Sequence, residues 1–110
     1  MKVLLDECVN RRLKRHLTDV EVYTVADMNW LSLRNGNLMR AAIENGFDVL
    51  LTIDKNLEYQ HDLRKYNITI VVFDVLKNSL QYLEELVPVF KAQLPTFQKG
   101  LAYRIRKPDA

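Results

Sequence analysis

Lys2-Val3-Leu4-Leu5-Asp6 and Asp48-Val49-Leu50-Leu51-Thr52-Ile53-Asp54 are short runs of apolar and β-branched residues, each closed by an acid. Two carboxylates brought together at strand ends repel one another unless a cation lies between them. Mg²⁺ or Mn²⁺ suits such a place, because it takes one or two carboxylates and completes its shell with water and substrate phosphate. A metal so held orients or activates a water and stabilises charge on a phosphodiester. Asp6 and Asp54 are therefore the candidate metal ligands. Glu7 follows directly and is aimed differently unless the strand has already ended, and Asp74 closes a later strand as a distal acid. Asp48 stands at the amino end of its strand, away from the others. The plain alternative is that these aspartates only turn the chain.

The elements that must position these acids follow from periodicity. Lys2–Leu5, Glu21–Val25, Asp48–Asp54 and Ile68–Phe73 have strand composition. Val9, Leu13 and Leu17, with Arg11, Arg12, Lys14 and Arg15 between them, predict a basic amphipathic helix capped by Asn10. Asn35-Gly36-Asn37 opens a second helix that Gly46 stops. A short helix is expected over Asn56–Tyr66, and a last one from Ser79 to Leu94, bent or restarted at Pro88. Leu101–Ile105 forms an edge strand or a loose basic tail.

Strands alternating with helices predict an α/β domain, a three-layer α/β/α arrangement around a mostly parallel sheet of four to five strands. Right-handed crossovers leave few topologies. The expected one sets the first and third strands side by side and winds them in opposite directions. Ligands then bind beyond the carboxyl ends at that reversal. Asp6 and Asp54 should meet there.

The 110 residues make one domain, with its core in about 1–94 and a tail over 95–110. Sixteen Lys and Arg against 14 Asp and Glu give a net charge of +2. The charge is uneven, with both ends basic and the middle acidic. No apolar run is long enough to span a membrane. Acids at Asp6 and Glu7 come too early for a signal peptide. A lone Cys8 makes no internal disulfide, which fits a cytoplasmic setting.

Leu4-Leu5-Asp6-Glu7, Asn10-Arg11-Arg12-Leu13, Asn29-Trp30, Asn35-Gly36-Asn37-Leu38 and Thr52-Ile53-Asp54-Lys55-Asn56-Leu57 resemble, in order, the small bacterial PIN-like proteins related to VapC-type toxin ribonucleases. The likeness runs from Met1 to about Leu94. It implies a PIN-like fold and Mg²⁺- or Mn²⁺-dependent cleavage of RNA, with Asp6 and Asp54 matching the acids after the first and third strands. It also implies a cognate antitoxin protein as partner. Where the family pattern carries Glu in the second helix this chain has Asn37, and where many relatives carry Asp it has Asn56. Asparagine coordinates through its carbonyl oxygen but supplies no charge and accepts no proton.

On this basis the leading expectation is a metal-dependent ribonuclease, the toxin half of a toxin–antitoxin pair, with Glu7, Asn37 and Asn56 as auxiliary catalytic groups. Arg11, Arg12 and Lys55 are expected on substrate phosphates. The alternative is a catalytically weakened PIN-like module that binds RNA or a partner protein. A receiver-like phosphoacceptor domain fits less well, since Phe73-Asp74 lacks the strand-end Thr or Ser and Lys. Trp30 and Tyr23 either stack on bases or cap the core. The apolar positions Leu80, Leu83, Leu86, Val87, Phe90 and Leu94 either cover the sheet or form a homodimer or inhibitor surface.

Overall fold

The computed structural model describes residues 1–55 and 65–107, without the Asn35 side chain. Five strands, β1 (Lys2–Leu5), β2 (Glu21–Thr24), β3 (Val49–Thr52), β4 (Thr69–Phe73) and β5 (Ala102–Ile105), form one sheet in the order β2-β1-β3-β4-β5. Every neighbouring pair is parallel. The fold is α/β. β1 pairs with β3 in the register Val3↔Val49 and Leu5↔Leu51, so the chain winds outward in both directions from this central pair.

Residues along a strand alternate between faces, and here both faces are covered. Val3, Leu5, Val49, Leu51, Val71, Phe73 and Ile105 share an apolar cluster with Leu13 and Leu17 and with Leu83, Leu86, Val87 and Phe90 of helix α2 (Leu80–Gln93). Leu4, Leu50, Ile70 and Val72 share a second cluster with Leu38, Met39 and Ala42 of helix α1 (Asn35–Glu44) and with Phe47. Burial on two sides is why the strands read as unbroken apolar runs.

Three local outcomes refine the sequence reading. Arg11–His16 is a 3-10 helix rather than an α-helix, with Leu13 N–H donating to Asn10 O and Leu17 N–H to Lys14 O. Six residues are too few to offset the cost of nucleating an α-helical ladder, and short helical pieces close with the tighter bond. Asn10 caps it as expected, its side chain accepting from Arg12 N–H. Helix α2 runs through Pro88 without a restart. Proline there removes the one hydrogen bond that its N–H would have given the preceding turn. Ser79 caps the helix by accepting from Tyr82 N–H.

Gly46 takes φ +80° just past α1 and stops it, as glycine does without a Cβ penalty. Ala102–Ile105 is an edge strand, not a loose tail, its entry fixed by Gly100 N–H donating to Ile68 O. The expected helix over Asn56–Tyr66 lies largely outside the described residues. No helix among the described residues is long and apolar enough to cross a membrane.

Candidate carboxylate cleft

The reversal of strand order falls between β1 and β3, and parallel pairing brings their carboxyl ends to the same edge. Asp6 continues from β1, its N–H still donating to Leu51 O of β3 at 2.9 Å. Asp54 follows β3 by two residues. Both line one cleft of about 280 Å³, together with Glu7, Cys8, Leu33, Arg34, Leu38, Leu50 and Ile53. Both aspartates thus line the cleft at the reversal of strand order.

Thr52, the last residue of β3, is fully buried and holds both. Its hydroxyl donates to Asp6 Oδ2 at 2.8 Å and accepts from Asp54 N–H at 3.1 Å. The other Asp6 oxygen, Oδ1, accepts from Glu7 N–H at 2.9 Å. A buried hydroxyl needs such partners, since leaving it unpaired costs about 1–3 kcal/mol. Sequence reasoning passed over Thr52. The available signal was its place two residues before Asp54 in Thr52-Ile53-Asp54.

Cys8 Sγ lies 3.4 Å from Asp6 Oδ2 and 3.3 Å from Thr52 Oγ1. Burial pushes its thiol above the ordinary cysteine value, and the Asp6 charge adds to the effect. That is the reverse of what a nucleophilic thiolate needs. Cys8 serves as a small packing group beside Asp6.

Glu7 is turned toward α1, where it pairs with the Arg34 guanidinium. Arg34 also donates to Leu31 O at 3.0 Å, which ties the loop before α1 to the wall of the cleft. Arg34 is the second residue that the sequence did not single out, and no spacing pointed to it. Asn37 does not line the cleft, and its side-chain oxygen accepts from Arg40 one turn along the same helix. Asn56 lies outside the described residues.

The basic residues divide into two groups. Lys55 binds Asp74 at 2.7 Å, and this ammonium holds the Asp74 carboxyl below the usual carboxylate range. Asp74 is therefore engaged beside the cleft rather than in it. Arg11 and Arg12 are exposed on the 3-10 helix, outside the cleft. Asp48, at the opposite edge, accepts from Lys2 N–H at 2.8 Å and pairs with Lys99 at 3.2 Å. Trp30 and Tyr23 meet Phe47 edge-on at 5.9 and 5.8 Å, which is core-capping geometry. The apolar residues of α2 cover the sheet.

Among the described residues no three His, Cys, Asp or Glu side chains cluster as a metal-holding group. The carboxylates that line the cleft are Asp6, Glu7 and Asp54, of which Glu7 pairs with Arg34 and Asp6 accepts from Thr52 and from Glu7 N–H. That set is too sparse for an all-protein cage. It suits a small hard cation that keeps several waters and shares its shell with a phosphate. No family model, curated protein or solved structure matches the chain.

Proposed function

We propose that the cleft is the active site of a metal-dependent ribonuclease. The observation that carries this reading is the convergence of Asp6 and Asp54 on one cleft, with a single buried hydroxyl, that of Thr52, fixing both. Asp6 and Asp54 would hold Mg²⁺ or Mn²⁺, which when bound supplies an oriented, acidified water and charge neutralisation on the phosphodiester. The chain's own residues do the rest. Thr52 keeps the Asp6 carboxylate in one orientation. Arg34 offers a planar, permanently charged group to an entering phosphate. A phosphate that draws Arg34 away releases Glu7 as a proton acceptor beside Asp6.

The resemblance of the Leu4–Glu7 and Thr52–Leu57 motifs to the PIN-like, VapC-related ribonucleases supports RNA as substrate. It also supports a toxin role with a protein antitoxin in the cytoplasm. Cleavage of RNA in Mn²⁺ by the native protein, lost in Asp6→Asn, is the expected result. Equal cleavage by both proteins, or by neither, removes the mechanism.

One observation favours a second reading. Asn37 supplies no charge and Glu7 is neutralised by Arg34, so the site carries less negative charge than three acids would give. A PIN-like module that binds RNA or a partner without cutting fits that deficit. Gain of cleavage on Asn37→Glu in an inactive parent identifies it, and an active parent rules it out.

A further inference from the structure

The 3-10 helix Arg11–His16 carries the densest run of positive charge in the chain, and its partners are unevenly shared. Lys14 pairs with Asp27 at 2.8 Å, and His16 faces Glu84 at 3.4 Å. Arg11, Arg12 and Arg15 have no carboxylate partner among the described residues. All three are exposed, and together with Lys14 they line a single open hollow. Neighbouring like charges held in one short helix raise a local positive potential that nothing in the described chain neutralises.

A third hollow shares lining residues with both the patch and the cleft. This groove of about 330 Å³ is lined by Asp6 and Glu7 together with Asn10, Arg11 and Asn78. Asn78 Oδ1 accepts from Asn10 N–H at 2.8 Å, so the groove floor is fixed across two distant segments. Asp6 and Glu7 belong to both cleft and groove, and Arg11 to both groove and patch. Shared lining residues link the three hollows in series.

Resting on the nuclease reading of the cleft, we propose that these hollows are a binding track for the substrate: an RNA strand held at the carboxylates runs along the groove and lays its phosphates on Arg11, Arg12 and Arg15. A chain with a negative charge at every repeat fits a row of unpaired guanidinium groups that begins at the scissile site. Such contacts set the register of the strand and carry no sequence information. Lys55, committed to Asp74, is not part of the track.

The test separates binding from cleavage. The Asp6→Asn protein in EDTA is titrated with fluorescein-labelled single-stranded RNA of about 12 nucleotides, a length within the range that single-strand sites cover. Anisotropy is followed across a KCl series. Replacing Arg11, Arg12 and Arg15 together by Gln weakens binding and reduces the log–log salt slope by about 2, at roughly 0.7 per phosphate on a single strand. The triple Arg→Lys protein keeps the slope, because the charges remain. An unchanged slope in the Gln protein overturns the track. So does loss of polyglutamate binding with RNA binding intact, which reassigns the patch to an acidic protein. A reduced slope in a protein that never cleaves RNA upholds RNA binding by the three arginines and sinks the nuclease reading, leaving the track as a binding surface alone.

Discussion

The hydroxyl of Thr52 sits between the two aspartates at the sheet reversal, donating to the side chain of Asp6 at 2.8 Å and accepting from the backbone of Asp54 at 3.1 Å. The buried Thr52 proton, with Glu7 N–H on the other oxygen, thus sets the orientation of the carboxylate proposed to carry the chemistry. Thr52→Val keeps the shape and removes both bonds. It is expected to lower stability by roughly 1–2 kcal/mol and any Mn²⁺-dependent cleavage by at least about tenfold. Urea unfolding and turnover measure the two effects, and Thr52→Ser should recover most of both.

Arg34 neutralises Glu7 on the wall of the cleft. The pair is exposed, so Arg34→Ala should shift stability by less than about 1 kcal/mol. Freeing the Glu7 charge should instead tighten Mn²⁺ binding about fivefold, the equivalent of roughly 1 kcal/mol. Calorimetric titration with Mn²⁺ reads this directly. Weaker or unaltered binding would show that Glu7 does not feel the ion.

Asp74 titrates below the ordinary carboxylate range because of Lys55. A carboxyl with a depressed folded-state value binds more protons when unfolded. Its stabilisation is therefore complete above the unfolded value of about 3.9 and fades as acid carries it through the lower folded value. Lys55→Ala should move the Asp74 carboxyl resonance midpoint upward in an NMR titration. It should also flatten the fall of stability below about pH 4.

Pro88 stands at an exposed position inside α2 and denies that helix one hydrogen bond. Pro88→Ala should restore it. The gain is set by the helix-interior penalty of about 3 kcal/mol less the unfolded-state advantage of proline, about 0.4–1 kcal/mol, so roughly 2 kcal/mol of added stability is expected. Denaturation midpoints of the two proteins check the sign.

The central architecture was readable because burial on both faces writes itself into sequence as unbroken apolar strands. Val49–Thr52 and Thr69–Phe73 needed no partner information to be found. The pairing of β1 with β3 followed from connection rules, and the placement of Asp6 and Asp54 on one cleft followed from the pairing. What periodicity could not convey was the choice among hydrogen-bond partners. The Val9–Leu13–Leu17 spacing fits an α-helix, yet the short segment closed as a 3-10 helix. Arg34 reaches Glu7 across 27 residues of chain, and Asn37 turns to its own helix neighbour Arg40. Such choices depend on side-chain reach in three dimensions, which a linear pattern does not encode.

Parallel pairing throughout the sheet gives the molecule a polarity that matters for handling it. Lys2 starts β1 at the edge where Asp48 receives its backbone N–H, whereas the residues after Ile105 leave from the edge that bears the carboxylates. An affinity handle joined ahead of Met1 would emerge on the far side and leave the carboxylate cleft clear for immobilised assays. The same handle joined behind the last strand would hang beside the entrance and compete with any ligand for it.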